Sequence, residues 1–271
     1  MKFFEGCTAL ITGASAGLGA EFARQLAPYA QALVLVARRE DRLENLREEL
    51  TAIHRGLSVY IYVADIAKEE QLHGLTRWLN DQGIAVDFLI NNAGLGDRGR
   101  FENCDWSRVQ AMLDVNITAL TRLTHLLLPM MRTSGRGAIL NISSIAGFLP
   151  IPGSAVYAAT KAYVTSFSEA LRIELRGKGI SVTALCPGPV ETEFFEVAAR
   201  EVDPDYSAVN EAGDLFLVSP AQVVRDGLQA VAMDKARKIP GLVVCLSMAA
   251  TVLVPMFILR KILEYRMNRM E

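Results

Sequence analysis

The sequence has almost no excess of charge and few cysteines. Its 28 Lys and Arg residues nearly balance its 30 Asp and Glu residues, and the formal net charge is −2. Nucleic-acid-binding proteins usually carry a basic surface, so this balance argues against a nucleic-acid partner. The four cysteines lie far apart, without a CxxC pair or a histidine at ligand spacing. This distribution predicts reduced thiols that fill the core, and it argues against disulfides and a metal site.

The sequence also lacks a linker, an internal repeat and a low-complexity segment. Residues 1–6 are too short for a signal peptide and lead directly into an apolar run, so we expect a cytoplasmic protein. The 271 residues, of which 51% are hydrophobic, are enough for the core of one large α/β domain. We therefore predict a single domain over residues 1–271.

Short apolar runs alternate with helical patterns along most of the chain. The runs predicted as strands cover residues 7–12, 32–37, 57–63, 86–91, 137–143 and 180–185. The helical patterns cover residues 18–27, 39–54, 68–82, 106–132 and 156–177. Such alternation is typical of a parallel sheet with helices on both faces. We predict a doubly wound, Rossmann-like α/β domain with about seven strands.

A glycine-rich turn follows the first predicted strand. It runs from Thr12 to Gly19, with its glycines spaced GxxxGxG, and leads into a helical pattern. Glycines allow a tight turn and let backbone N–H groups approach a pyrophosphate at the start of a helix. The turn lacks the Lys-Ser or Lys-Thr ending of a P-loop, so nucleotide hydrolysis is not expected. The pattern favours a dinucleotide-binding turn over a plain tight turn.

Two arginines end the second predicted strand and indicate which dinucleotide is bound. An acidic residue at this position would accept hydrogen bonds from the adenosine ribose of NAD. The chain has Arg38 and Arg39 instead, and a guanidinium binds a phosphate through paired hydrogen bonds. We therefore predict NADP(H) as the cofactor. The alternative is that both arginines only solvate the start of the next helix.

Tyr157 and Lys161 are four residues apart within a helical pattern. This spacing places both side chains on one face of the helix, one turn apart. A phenol has a pKa of about 10 and is a poor acid or base at neutral pH. A neighbouring ammonium would lower the pKa of the Tyr157 phenol and so make it useful for proton transfer. The alternative is a half-buried ring beside a solvated amine.

Taken in order along residues 5–195, these features resemble the classical short-chain dehydrogenase/reductase family, in particular its NADP-linked oxidoreductase branch. The motifs that carry the resemblance are the turn from Thr12 to Gly19, Asp65-Ile66, Asn91-Asn92-Ala93-Gly94, Asn116, Ser144, Tyr157 with Lys161, and Pro187-Gly188 with Thr192. The resemblance implies an NADP(H)-dependent oxidoreductase that interconverts a ketone or aldehyde and an alcohol. Two alternatives are a dinucleotide-binding sensor or scaffold without turnover, and a membrane-tethered interaction protein.

The resemblance also implies four catalytic residues. Tyr157 would exchange a proton with the substrate oxygen, and Lys161 would lower the tyrosine pKa and bind the nicotinamide ribose. Only one of Ser143 and Ser144 should reach the cleft, because adjacent strand residues point to opposite faces. The family's serine-to-tyrosine spacing selects Ser144, which would hold the reacting oxygen. Asn116 would support a water chain to Lys161, or it would be a buried amide that bonds backbone in a helix kink.

The cofactor contacts that the motifs and the resemblance imply come from several separate segments. They are Gly13, Ser15, Ala16, Gly17, Leu18, Gly19, Arg38, Arg39, Asp65, Ile66, Asn92, Ala93, Gly94, Tyr157, Lys161, Pro187, Gly188, Val190 and Thr192. Asp65 would accept a hydrogen bond from the adenine amine or cap a turn. Residues 91–94 would line the adenosine side and close the turn after the fourth strand.

Substrate contacts should come from loops at the carboxyl ends of the strands. The candidates are Leu95, Phe148, Phe194 and Phe195. Residues 191–217 mix Phe, acidic residues and Gly, which is typical of a lid. These side chains favour a small-molecule carbonyl compound or alcohol of apolar character as the substrate. Alternatively, such aromatic residues only extend the core.

The C-terminal segment, residues 240–271, contains an uncharged run of 18 residues, 242–259, with basic residues on both sides. Its length is sufficient for a membrane span, and Pro255 would kink a helix near its end. Three alternatives follow: packing on the substrate cleft or a partner subunit, peripheral membrane contact through residues 240–261, and a span. We expect a homodimer or homotetramer, with the helices around residues 112–127 and 156–176 as an interface.

Overall fold

The computed structural model describes residues 2–134, 137–194 and 216–268 of the chain. Within these ranges, seven strands form one parallel sheet. The strands are β1 (Thr8–Thr12), β2 (Ala32–Ala37), β3 (Ser58–Val63), β4 (Phe88–Asn91), β5 (Gly137–Ile142), β6 (Ile180–Leu185) and β7 (Arg237–Lys238). Their order in the sheet is β3-β2-β1-β4-β5-β6-β7. The strand order therefore reverses between β1 and β4, and the predicted Rossmann-like fold is confirmed.

Helices connect the strands on both faces of the sheet. They are α1 (Gly17–Leu26), α2 (Glu40–Ile53), α3 (Glu69–Asp81), α4 (Trp106–Leu113), α5 (Leu120–Ser134), α6 (Ala155–Glu174), α7 (Pro220–Ala232), α8 (Leu242–Val252) and α9 (Met256–Asn268). Most predicted bounds lie within two residues of these. The helix predicted over 156–177 ends earlier, before Gly177 and Gly179, both of which have positive φ angles.

The strand β2 shows why helices cover both faces. All six of its residues are buried. Leu33 and Leu35 belong to a hydrophobic cluster with side chains of α1, α2 and α7, whereas Val34 and Val36 belong to a second cluster with side chains of α3, α5 and α6. Successive side chains of a strand point to opposite faces, so a continuous apolar run is stable only between two helix layers.

The helix predicted over residues 106–132 contains a π-helical segment. Residues Asp114–Ala119 form this segment between α4 and α5. A π segment places one extra residue in a turn and changes the direction in which the side chains point. Asn116 lies within it, and its side chain is buried. The segment therefore directs a polar side chain inward at a point where a regular helix would place it differently.

A buried amide network joins β4 and β5 to the helices behind them. Asn91 Nδ2 donates to Thr124 Oγ1 at 2.9 Å and to Asn141 Oδ1 at 2.8 Å. Asn141 Nδ2 in turn donates to Ser168 Oγ at 2.9 Å. All four residues are buried, and these hydrogen bonds offset the loss of hydration. The Asn91 side chain thus faces Thr124 on α5, and the expectation that residues 91–94 line the adenosine side stays a prediction.

The C-terminal apolar segment folds as two helices. α8 and α9 meet at an angle of 109°, and the break between them contains Pro255. The proline ring does not fit inside a helix, which accounts for the position of the break. Within the described residues, no single helix has both the length and the apolar composition of a membrane span. The bent pair formed by α8 and α9 passes that test by length and composition.

The four cysteines are thiols in different surroundings. Cys7 and Cys186 are buried, as the core prediction requires, and burial raises the pKa of the Cys186 thiol to about 11. Cys104 is half-buried and Cys245 is exposed on α8. The prediction that all four cysteines fill the core is therefore wrong for these two, which lie on the outer parts of the fold.

Candidate active site

The glycine-rich turn joins β1 to α1 at the carboxyl edge of the sheet. Gly13 and Gly17 have φ angles of +66° and +53°, a region that other residues rarely adopt. A Cβ atom on Gly19 would lie 2.2 Å from the Gly13 carbonyl oxygen, so only glycine fits there. The N-cap residue of α1 is Ala16, which makes no side-chain capping bond. The first N–H groups of α1 are therefore available to an anion.

Asn92 holds this turn in place from the end of β4. Its Nδ2 donates to Thr12 O at 2.9 Å and to Gly13 O at 3.3 Å. Thr12 Oγ1 accepts from the backbone N–H groups of Asn92 and Ala93, both at 3.1 Å. These bonds tie β4 to the glycine turn and fix the width of the space between the turn and the loop that follows β4.

The arginines at the end of β2 differ in their contacts. Arg39 Nε donates to Ser15 Oγ at 3.2 Å, and Arg39 also forms an ion pair with Glu193 at 3.2 Å. Arg42, in the first turn of α2, pairs with the same carboxylate at 2.6 Å. These hydrogen bonds hold the pKa of the Glu193 carboxyl below its usual value. Arg38 is exposed. Of the two predicted arginines, Arg39 is the one that hydrogen-bonds to the glycine turn.

The predicted positions after β3 have structural contacts of their own. Asp65 Oδ1 accepts from the backbone N–H of Ala67 at 3.1 Å and so caps a turn, which is one of its two expected roles. The side chain of Ile66 is buried in the second hydrophobic cluster. A direct contact from Ile66 to a cofactor would therefore have to come from its backbone.

The loop after β6 passes over the glycine turn. A Cβ on Gly17 would lie 3.5 Å from the Thr192 side chain, and a Cβ on Gly188 would lie 3.1 Å from Val244 on α8. Val190 is buried and forms an isolated bridge with Val218. Leu18, on α1, is half-buried against the first hydrophobic cluster. The loop after β6 therefore lies against three parts of the fold. Thr192 faces the glycine turn, Gly188 faces α8, and Val190 pairs with the segment before α7.

Ser144, Tyr157 and Lys161 converge at the end of β5. The Ser144 hydroxyl donates to Pro187 O at 3.4 Å and accepts from the backbone N–H of Ala146 at 3.1 Å, and it lies near enough to Tyr157 to act on the phenol as a hydrogen-bond partner. Lys161 Nζ lies 5.7 Å from the centroid of the Tyr157 ring and donates to Ile142 O at 2.9 Å. Lys161 is only 4% exposed. The structure thus brings three of the four predicted catalytic residues together.

Burial shifts the pKa values of both titratable groups in this cluster. It raises the pKa of the Tyr157 phenol to about 12, and the Ser144 hydrogen bond and the charge of Arg98 oppose this shift only in part. It lowers the pKa of the Lys161 ammonium to about 8. The pKa of Tyr157 therefore lies above its ordinary value and not, as expected from the sequence, below it, because burial has the largest effect. Loss of hydration disfavours both charged forms, and the lysine donates to a backbone carbonyl.

Ser143 and Ser144 face different surroundings, in line with the alternation expected along β5. Ser143 Oγ donates to Lys161 O at 2.8 Å and shares a hydrogen bond with Thr165 Oγ1 at 2.7 Å. It therefore holds the backbone of α6 at Lys161, while Ser144 contacts Tyr157. A Cβ on Gly147 would lie 2.6 Å from the Lys161 carbonyl carbon, which shows how closely this loop packs on α6.

Asn116 uses its whole amide to hold the loop after β4. Its Oδ1 accepts from Leu95 N–H at 2.8 Å, and its Nδ2 donates to Leu95 O at 2.9 Å and to Thr160 Oγ1 at 3.0 Å. A Cβ on Gly94 would lie 3.4 Å from Lys161 Nζ and 3.5 Å from Asn116 Oδ1. Asn116 is thus a buried amide that bonds backbone, as one alternative expected, and it lies close to Lys161.

The predicted substrate residues in the described part of the chain have different surroundings. The Phe194 ring lies 5.8 Å from the Tyr157 ring, and the Phe148 ring lies 5.0 Å from the Arg237 guanidinium. Leu95 is held by Asn116. Phe195 and most of the predicted lid, residues 191–217, lie outside the described residues.

A crevice beside Tyr157 was not expected from the sequence. Its lining includes Asp97, Phe101, Cys104 and Met112 on one side and residues 153–156 on the other. These positions belong to no motif, so only the three-dimensional structure brings them to the tyrosine. The same holds for Arg98, whose charge acts on Tyr157. The arrangement provides a neutral proton donor at the edge of a crevice, next to a turn that can bind phosphate groups.

Comparison with known proteins supports a common origin for most of the chain. The family model described as short chain dehydrogenase matches residues 7–203. Sulfoacetaldehyde reductase 2 of Chromohalobacter salexigens is 40% identical over 187 residues, which cover 68% of this chain and 73% of that protein. Serine 3-dehydrogenase of Agrobacterium fabrum is 39% identical over 191 residues, or 69% of this chain and 73% of that protein. A short-chain dehydrogenase from Sphingobium yanoikuyae in complex with NADPH aligns with a TM-score of 0.79, at 34% identity over 90% of this chain and 91% of that one.

Proposed function

The chain belongs to the short chain dehydrogenase family of oxidoreductases, and we propose that it interconverts an apolar ketone or aldehyde and the corresponding alcohol with NADP(H). The observation that carries this proposal is the convergence of Ser144, Tyr157 and Lys161 at the edge of the sheet that also carries the glycine-rich turn. The related enzymes from C. salexigens and A. fabrum are named for a reductase and a dehydrogenase activity, which supports the same class of reaction.

The residues at the coenzyme end fit NADP(H). The start of α1 has no side-chain cap, and its glycines leave the space that a pyrophosphate needs. Arg39 and Arg42 provide guanidinium groups for the ribose phosphate that distinguishes NADP(H) from NAD(H). The related S. yanoikuyae protein was solved in complex with NADPH. When bound, the coenzyme supplies the hydride, and the chain supplies orientation and the proton.

Tyr157 acts as the general acid when the carbonyl is reduced. Its raised pKa keeps the phenol protonated at neutral pH, so it can donate to an oxygen that gains negative charge. Ser144, which lies near enough to Tyr157 to act on its pKa, is placed to donate to the same oxygen and stabilise that charge. The pKa of Lys161, about 8, lies close enough to neutral pH for this group to gain and lose a proton during turnover. Asn116 holds the loop beside Lys161.

Activity measurements on the purified full chain test this proposal. NADPH is mixed with ketones and aldehydes that range from short and polar to long and apolar, and its absorbance is followed. Tyr157→Phe should lower kcat by a factor of roughly 10² to 10⁴ and leave the affinity for NADPH nearly unchanged. Tyr163→Phe, on the same helix but bonded to Thr121, is the matched control and should remain active. Full activity of Tyr157→Phe would contradict the mechanism.

The same experiment separates the enzyme from a dinucleotide-binding sensor or scaffold. A sensor would bind NADPH and reduce none of the carbonyl compounds. The joint presence of Ser144, Tyr157 and Lys161 favours the enzyme, because coenzyme binding alone does not need a proton donor at this place.

We also propose that the enzyme is a homo-oligomer, with the helices around residues 112–127 and 156–176 as its interface. The outer side of α6, the second of these helices, exposes apolar groups: Tyr163 and Ile173 are 37% and 74% exposed, and the Tyr163 ring stacks on Phe167 at 5.8 Å. Covering such groups would stabilise an assembly. Light scattering after gel filtration should show a dimer or tetramer, and Ile173→Glu should shift it toward the monomer. A monomeric wild-type chain would contradict the proposal.

A lipid surface is the partner we propose for α8 and α9. α8 packs on the site through the buried residues Val244 and Met248, while Leu246 on its outer side is 62% exposed. No described side chain of residues 256–265 is buried, and Phe257 is 66% exposed. The basic residues Arg260 and Lys261 are exposed beside these apolar groups. Apolar groups with adjacent basic residues bind anionic membrane surfaces.

Vesicle binding tests this contact. The full chain should co-sediment with vesicles of phosphatidylcholine and phosphatidylserine, and Phe257→Glu should weaken this binding by about tenfold or more. Ile53→Glu is the control, because Ile53 is equally exposed, at 69%, but lies on α2. Equal loss of binding in both variants, or no binding of the wild type, would contradict the proposal.

A further inference from the structure

The carboxylate of Glu193 is paired with two arginines, one at the end of β2 and one in the first turn of α2. It pairs with Arg42 at 2.6 Å and with Arg39 at 3.2 Å. All three side chains are between 41% and 46% exposed, so solvent and other anions can reach them. A carboxylate and a phosphate oxygen are both acceptors for a guanidinium and use the same N–H groups.

The position of this ion pair is fixed by its neighbours in the chain. Thr192 lies over Gly17 of the glycine turn, and Arg39 also donates to Ser15 in that turn at 3.2 Å. Glu193 therefore reaches from the loop after β6 across the turn to the end of β2. On the other side, Phe194 lies against Tyr157, with 5.8 Å between the ring centroids. Three consecutive residues thus contact the turn, the arginines and the proposed proton donor.

We infer that Glu193 is a specificity-determining residue, an internal anion that competes with the ribose phosphate of NADP(H) for Arg39 and Arg42. The inference rests on the proposed coenzyme. The phosphate must displace the carboxylate to reach the guanidinium groups, so the net gain from binding the phosphate is reduced. A coenzyme without this phosphate leaves the ion pairs in place. Glu193 therefore narrows the preference for NADP(H) over NAD(H) that the arginines alone would create.

Binding of coenzyme fragments to the full chain tests this competition without any catalytic step. Adenosine 2′,5′-bisphosphate carries the ribose phosphate and adenosine 5′-monophosphate does not, and calorimetry gives both affinities at one ionic strength. Glu193→Gln should tighten the binding of the 2′,5′-bisphosphate by about threefold to tenfold, as expected for the loss of two exposed ion pairs. The affinity for the 5′-monophosphate should stay the same. NADPH and NADH should show the same contrast.

Glu191→Gln is the matched control. Glu191 is also exposed, lies two residues away, and its replacement changes the net charge by the same amount. It should leave both affinities unchanged. An equal gain in Glu191→Gln and Glu193→Gln would overturn the inference, because a general charge effect would then explain it. In an Arg42→Ala background, the effect of Glu193→Gln should become smaller; an unchanged effect would also count against the competition.

The outcomes separate this inference from the proposed coenzyme. A wild-type preference for the 2′,5′-bisphosphate that Glu193→Gln does not increase overturns the inference and leaves the coenzyme proposal in place. No preference in either protein overturns both. A preference that appears only in Glu193→Gln supports the inference, since the carboxylate would then cancel the contribution of the arginines in the wild type.

Discussion

The two ends of the proposed site are held by different kinds of interaction. At the catalytic end, Lys161 and Asn116 are buried and hydrogen-bonded at 2.8 to 3.0 Å. At the coenzyme-phosphate end, Arg39, Arg42 and Glu193 are largely exposed and held by ion pairs. A buried polar group without its partner costs about 1–3 kcal/mol, whereas an exposed ion pair contributes about 0–1 kcal/mol. Substitutions at the catalytic end should therefore cost more stability, whereas the arginines at the coenzyme-phosphate end should exchange one anion for another easily.

The largest effect in this comparison should come from Lys161. Burial lowers its pKa from 10.5 to about 8, so between pH 8 and 10.5 the unfolded chain binds more protons than the folded chain. The free energy of unfolding then rises with pH across this range and falls as the pH drops toward 8. Relative to Lys161→Met, the wild type should gain about 3 kcal/mol between these limits. Urea denaturation without coenzyme at a series of pH values measures it.

The comparison with Lys161→Met isolates the contribution of the Lys161 side chain to the pH dependence of stability. Tyr157 is present in both proteins, and its raised pKa lowers stability above pH 10 in each of them. Its effect cancels in the difference. A difference that does not vary with pH would show that the lysine titrates normally in the folded chain, and the contrast between the two ends would then lose its strongest support.

A smaller effect should follow from Asn116→Ala. The change removes three hydrogen bonds and leaves the Leu95 backbone groups without their partner. We expect a loss of about 1–3 kcal/mol in the free energy of unfolding, measured by urea denaturation. Asn80→Ala is the control, because Asn80 is exposed on α3 and should change stability by less than about 0.5 kcal/mol. Equal effects of both changes would contradict the assignment of Asn116 to a buried, supporting role.

The smallest effect on stability should come from Arg39→Ala, which should cost less than about 0.5 kcal/mol. Its effect should appear in binding instead. NADPH affinity should fall by about tenfold, because charged hydrogen bonds to the phosphate are lost, and NADH affinity should stay constant. Arg38→Ala should have the smaller effect of the two, since Arg39 is the arginine that hydrogen-bonds to Ser15 in the glycine turn. Fluorescence titration measures both affinities, and a larger loss in Arg38→Ala would reverse the assignment.

Local patterns in the sequence predict the coenzyme end of the fold well. β2 is buried along its whole length, and a continuous apolar run is enough to predict that. Gly13 and Gly19 mark the turn because their conformations or contacts exclude other residues. The position of Tyr157 one turn before Lys161 follows from helix geometry. Each of these predictions depends on residues that are close in the chain.

Other parts of the site depend on contacts between distant segments and could not be predicted. Glu193 meets Arg42 across 151 positions of sequence, and nothing near either residue indicates that pairing. The direction of the pKa shift of Tyr157 was wrong because burial outweighs the nearby charges, and burial is set by the packing of several elements. The roles assigned to Ser144 and Asn116 remain predictions, although their contacts in the structure are compatible with them.

The extra residue in the π-helical segment, Asp114–Ala119, sets the direction of the Asn116 side chain relative to the buried side chains of α5. Deleting one residue from the segment would restore a regular α turn, so Leu123 and Leu127, now buried, would keep facing the sheet. Asn116 would lose the inward position that depends on the extra residue, and with it the bonds to the loop at Leu95. A shortened chain would therefore keep the hydrophobic contacts of α5 and lose the amide at the cleft.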